Sequence, residues 1–140
     1  MKLSSALLVA APAFAAAMGN DNGRGKDILS YKGTVKITNV APNPGGTCQT
    51  DVWVGIHDGS FDTYNRGEPA AEFLERLAED GTINSGAING VPFVGISDAF
   101  MATDGAVWDG SVGGTPFCPG QMAEIEFDLT IPRGQPLYFR

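Results

Sequence analysis

The segment from Met122 to Ile131 alternates strictly between apolar and polar residues. Ile125, Phe127, Leu129 and Ile131 share one face, and Glu124, Glu126, Asp128 and Thr130 share the other. A period of two is the signature of a strand buried on one side and solvated on the other. The region around it cannot continue as long helices. Nineteen glycines and nine prolines make up a fifth of the 140 residues. That density of chain breakers excludes a helical bundle and favours short strands joined by turns. The apolar fraction of 43% is enough to bury a core, which excludes wholesale disorder. The expected fold class is therefore mostly β, built from antiparallel strands.

Other strands follow the same pattern. Lys32 to Val40 places Val35 and Ile37 opposite Thr34, Lys36 and Thr38. Asp51 to His57 (D-V-W-V-G-I-H) turns Val52, Val54 and Ile56 together. Val91 to Ile96 reads as a short strand moved towards a sheet edge by Pro92. Pro136 to Arg140 is also strand-like. Between Glu68 and Asp80 the period changes, with Ala70, Phe73, Leu74, Leu77 and Ala78 forming an apolar stripe at helical spacing. Pro69 suits the first helical position, Glu72 and Arg76 are four apart in the favourable order, and Gly81 supplies a left-handed stop. One helix over 68–80 is expected. Asp98, Asp104 and Asp109 read as turn-formers, since their spacing does not match a calcium loop that needs ligands at every second position.

Met1 to Ala17 has a single positive charge, a short apolar run and an Ala-Phe-Ala ending, the pattern of a secretory signal peptide. The run is too short to span a bilayer, so membrane insertion is not expected. Residues 18–31 contain the polar, glycine-rich G-N-D-N-G-R-G-K stretch and read as a flexible leader. Residues 32–140 form the domain. Export to an oxidising compartment makes a Cys48–Cys118 disulfide the simplest pairing. Closing a 70-residue loop contributes about 4 kcal/mol in the chain-entropy picture. The net charge of −7 and the absence of a Lys/Arg cluster exclude nucleic-acid binding by phosphate neutralisation.

The residues show no catalytic constellation. His57 and Asp58 are adjacent strand residues and point to opposite faces. Gly95-Ile96-Ser97-Asp98-Ala99 has Ala where a nucleophile elbow needs its second Gly. No phosphate loop, zinc-ligand spacing or glycosylation sequon is present. No metal site is assigned.

The order of motifs resembles the spondin amino-terminal domain, found in secreted animal adhesion proteins and in secreted microbial proteins. The matching pieces are Asn39 to Pro42 (N-V-A-P), His57-Asp58-Gly59, Gly67-Glu68-Pro69-Ala70, and Leu77 to Gly81 (L-A-E-D-G). Pro119-Gly120-Gln121 before a strand and the closing G-Q-P-L-Y-F-R add to it. The resemblance implies an antiparallel β-sandwich related to C2 domains, with one inserted helix. It also implies a calcium cofactor, held by a Pro-Ser-x-Asp segment and an Asp-Ala-Gly-Thr-Asp/Glu segment. Neither segment occurs here, so no calcium ligand is carried over and the family's last strands are expected to be missing. The resemblance places Glu68, after Arg66-Gly67, where animal members engage adhesion receptors. A glutamate there also favours the amino end of a helix. The resulting expectation is a secreted, non-catalytic adhesion-type domain. Its surface candidates are Glu68, His57 and Asp58, and its partners are matrix, cell-surface protein or glycan. The alternatives are a secreted hydrolase, or a fragment with an open edge near Leu137 to Arg140 that exposes Phe127, Leu129, Leu137 and Phe139.

Overall fold

The computed structural model describes residues 28–140. The expected signal peptide (1–17) and the greater part of the leader lie outside the described residues. The fold is mostly β, with antiparallel sheets and, among the described residues, two short helices.

Strand β1 (Ile28–Thr38) pairs along its whole length with β6 (Met122–Pro132), from Ile28 opposite Pro132 to Thr38 opposite Met122. Residues 28–31, assigned to the leader by sequence, are therefore strand. Leu29 and Tyr31 are half-buried while Ser30 is exposed, so the alternation simply starts earlier than the first obvious Val. Opposite charges face each other across the solvated side, Lys32 with Asp128 at 2.8 Å and Lys36 with Glu124 at 2.7 Å. These pairs are well exposed, and solvent screening leaves them a minor contribution to stability. Gly33 lies under the ring of its partner Phe127, where a Cβ would collide with the ring edge.

Strand β2 (Val52–His57) is the centre of a second sheet, flanked by β5 (Ala106–Val112) and β7 (Tyr138–Phe139). Five of its six residues are buried, because both of its faces are covered. Val54 and Ile56 meet Val35, Ile37, Phe127 and Leu129 from the β1–β6 ribbon in one core cluster. Trp53, on the opposite face, joins Phe61, Ile83, Ile96 and Phe100 in a second cluster.

The second cluster is capped by the helices. Helix α1 (Glu72–Asp80) begins four residues later than its sequence pattern suggests. Ala71 is its extended N-cap, so Pro69 and Ala70 precede the helix and Glu68 is not in its first turn. Proline disfavours helical backbone in the residue before it, and Gly67 has a φ of 89°, so the chain turns before it coils. Phe73 and Leu77 pack on the second cluster, and Gly81 ends the helix in the left-handed conformation as expected. Helix α2 (Ile96–Met101) was not expected; it buries Ile96 and Phe100. It replaces the end of the Val91–Ile96 strand and takes Asp98 out of a turn.

What remains of that strand is β4 (Val91–Phe93), paired with β3 (Gly86–Ile88) in a hairpin. Asn89 and Gly90 have φ values of 52° and 80°, the all-positive pattern of a type I′ turn. Asp109-Gly110 is likewise not a turn: β5 runs straight through it. Phe127 and Leu129 are buried, Leu137 is half-buried and packs against the first cluster, and Phe139, opposite Ile56, is exposed as that expectation has it. The exposure expected of an open fragment edge is thus not seen at Phe127 or Leu129.

Asn39 closes β1. It is 1% exposed, and its Nδ2 donates to Thr47 O (2.9 Å) and Phe117 O (3.0 Å) while its Oδ1 accepts from Ala41 N (3.0 Å). Its side chain is thus bonded through both its donor and its acceptor. Asn39→Ala should cost about 1–3 kcal/mol, because it strands the buried Phe117 carbonyl and removes two further, part-buried bonds. Urea unfolding of the variant would measure it; a loss below 0.5 kcal/mol would mean that water replaces the side chain.

Candidate functional site

The expected site residues do not form one site. His57 ends β2 and is 1% exposed, so it is not a surface contact residue. Its Nδ1 accepts from Gly59 N at 3.1 Å and Phe61 N at 3.3 Å, which places the ring proton on Nε2. Phe61, Phe100 and Tyr138 surround the ring. Asp58 is half-buried, and its Oδ1 accepts from Ser60 N at 2.9 Å. Hydrogen bonding from Ser60 holds its carboxyl below the ordinary value. Glu68 is exposed in a turn in which its amide donates to Asn65 O. Sequence alone did not show that β2 is covered on both faces, and that covering buries His57.

Burial, and then the nearby Arg140 cation, push the His57 pKa below its usual 6.5. The unfolded chain takes up a proton near that value and the folded chain does not. Stability should therefore fall as pH drops through about 6.5, at up to about 1.4 kcal/mol per pH unit, and level off below the folded value. His57→Gln should flatten this slope between pH 7 and 5, above the range in which carboxylates titrate. Denaturant midpoints across that range test it; an unchanged slope would assign the acid sensitivity elsewhere.

Asp109 is the best-connected carboxylate. Its Oδ2 accepts from Trp53 Nε1 at 3.0 Å and Ser97 Oγ at 2.5 Å. Asp98, in the first turn of α2, accepts from Ser85 N at 3.0 Å, and this bonding lowers its pKa. Ser85 Oγ in turn accepts from Gly95 N. Asp104 alone of the three acids lies in a turn. Asp109 ties α2 to β5 through Ser97, and Asp98 ties α2 to the residue before β3 through Ser85. Among the described residues, no three His, Cys, Asp or Glu side chains gather where they could hold a metal.

The hairpin and β5 enclose an open groove of about 480 Å³. Its walls include Thr82, Asn84, Ser85 and Ala87 on one side and Asp51 and Ser111 on the other. Short hydroxyl, amide and carboxylate groups line it beside Ile83, Ile88 and Phe93, and no Lys, Arg or His does. Such a surface can exchange directed hydrogen bonds with a neutral or cationic ligand and is unsuited to phosphate or sulfate. Asp51 has no ion-pair or hydrogen-bond partner for its carboxylate among the described residues. Sequence reasoning missed this groove. The signal for it was Asn89-Gly90, a strong hairpin marker that locates β3 and β4.

Fold and groove together define an antiparallel, mostly-β domain with a polar cleft beside its central sheet. The Cys48–Cys118 disulfide is formed. No helix among the described residues is long and apolar enough to cross a membrane. No family model matches the chain, and no curated protein or solved structure matches it.

Proposed function

We propose that this chain is a secreted, non-catalytic binding domain that engages an extracellular partner through the groove between the β3–β4 hairpin and β5. The observation that carries the reading is the groove lining. It offers several hydrogen-bonding groups and an unpaired carboxylate at Asp51, with no histidine, cysteine or lysine to serve as base or nucleophile. The disulfide is consistent with an oxidising compartment. The spondin-type assignment rests on the motif order alone, and Glu68, exposed in its turn, remains a second surface to test.

Labelled full chain should bind saturably to an array of matrix proteins, cell-surface proteins and glycans. Ala87→Arg places a long cationic side chain on the exposed groove wall and should reduce that binding about tenfold, a loss of about 1.4 kcal/mol, without moving the thermal midpoint. Glu68→Ala should leave it unchanged. Loss with Glu68→Ala instead would move the function to the loop before α1. No saturable binding to any array member would overturn the reading.

A further inference from the structure

The sole histidine of the chain is sealed under a two-residue strand. His57 is 1% exposed, and neither ring nitrogen is prepared for a positive charge. Nδ1 is committed as the acceptor for Gly59 N and Phe61 N, so a proton on it would set three donors against one another. Nε2 is buried and meets no hydrogen-bond partner among the described residues. An imidazolium in this place would have no acceptor at either nitrogen, a costly state for a buried charge. The charges around it do not supply one. From β7 come the Arg140 cation and the Tyr138 phenol, and from the loop after β2 come Asp58 and Asp62; α2 and β5 bring Phe100 and Ala106, which carry no charge. Asp58 is bonded to Ser60 N, and Asp62 to Tyr64 N and, at 3.5 Å, to Arg140.

The groups that cover the ring differ in how firmly they are held. Phe61 and Phe100 belong to the second core cluster and are buried. Tyr138 is 51% exposed. The attachments of β7 include its pairing with Ile56 and His57, the two backbone bonds that Gly55 and Arg140 exchange, and the contact of Phe139 with Phe127. Leu137, packed on the first cluster, anchors the chain just before it. We infer that residues 138–140 are an acid-released strap: when His57 takes up a proton, β7 lifts from β2 and the ring turns out to water through the gap left by Tyr138, while the rest of the domain stays folded. Lifting solvates both ring nitrogens and carries Arg140 away from the imidazolium. It also bares the N–H and C=O of Gly55, which makes β2 a sheet edge on that side. The released form takes up its proton like an ordinary imidazole, near pH 6.5, and the docked form takes it up less readily. Release should therefore become more favourable as pH falls below about 6.5, by at most about tenfold per pH unit, and level off below the docked value.

The test is native-state hydrogen exchange of the isotope-labelled full chain between pH 7 and 5, without and with low urea, each rate being divided by the intrinsic rate at that pH. The Gly55 and Arg140 amides should lose protection about three- to thirtyfold across this range. Urea should change this little, because opening a two-residue strand exposes little surface. Gln49 and Phe117, bonded in the same way beside the disulfide, should not share that urea-independent loss. His57→Gln keeps an acceptor for Gly59 N and Phe61 N but cannot take up a proton, and should abolish the pH dependence. Tyr138→Ala removes the cover with His57 in place, and should move the His57 ring titration, followed by its ring-proton shifts, up towards 6.5. Protection at Gly55 and Arg140 that is indifferent to pH, or that falls only with urea, would overturn the strap. So would a ring titration left unmoved by Tyr138→Ala. Urea-independent loss at Gly59 and Phe61 with Gly55 and Arg140 still protected would overturn it as well, because the turn and not β7 would then be the part that opens.

Discussion

Phe100→Ala should destabilise the domain by about 3–5 kcal/mol, the range for removing a fully enclosed aromatic ring. Phe100 is 0% exposed. Its ring meets Trp53 edge-on at 5.2 Å, Phe61 at 5.0 Å and His57 at 6.2 Å between centroids. With Ile96 it seats α2 on the Trp53 face of β2, and through Phe61 it holds down the loop after His57. Truncation leaves a cavity that these large, interlocked rings cannot collapse to fill. A domain of this size is stable by only about 5–15 kcal/mol, so the variant should lose a large part of its margin. Phe100→Leu, which retains most of the volume, should cost far less. Urea midpoints of the two variants decide the matter. A loss below about 1 kcal/mol for Ala would mean that α2 is only loosely docked, and that the groove wall it supports through the Asp98–Ser85 bond is soft as well.

Sequence and structure agree where one physical signal acts without competition. The β1–β6 ribbon has one face on the core and one in water, so its alternation is unbroken and its strands are legible residue by residue. Helix α1 is legible for the same reason, although Pro69 and Gly67 delay its start. The region from Gly81 to Gly120 is less legible because tertiary contacts override local preference there. Asp109-Gly110 resembles a turn only until Trp53 and Ser97 are seen to satisfy the carboxylate from outside the strand. The six residues of α2 are too few to display a period, and Gly95 in front of them offers no side-chain cap. The site suffered most. His57, Asp58 and Glu68 attracted attention as charged or titratable residues near turns. The groove is built from short polar side chains such as Thr82, Asn84, Ser85 and Ser111 beside apolar ones such as Ile88 and Phe93, whose meaning exists only after the hairpin and β5 have been set side by side.

Removing the disulfide, with Cys48→Ser and Cys118→Ser together, should cost about 2–5 kcal/mol. The bond joins residues 70 apart, and the loop it closes contains β2, both helices, the hairpin and β5. Most of the effect should come through the unfolded chain, which gains freedom when that loop is opened. The folded ends stay together without the bond: Gln49 and Phe117 exchange two backbone hydrogen bonds at 2.9 and 3.0 Å, and Asn39 grips both Thr47 and Phe117. The variant should therefore keep its near-ultraviolet circular dichroism, while its urea m-value rises because the unfolded state expands. Asn39 and the disulfide hold the same two segments, so their effects should not add. With the bond present, Thr47 and Phe117 are tethered whether or not Asn39 bridges them; with it absent, Asn39 is a principal remaining clamp. Asn39→Ala should then cost at least about 0.5 kcal/mol more in the disulfide-free protein than in the oxidised one, the coupling expected of groups sharing partners. Equal costs in the two backgrounds would show that the bond acts on the unfolded chain alone, and that the Asn39 bonds and the Gln49–Phe117 bridge suffice to hold the native junction.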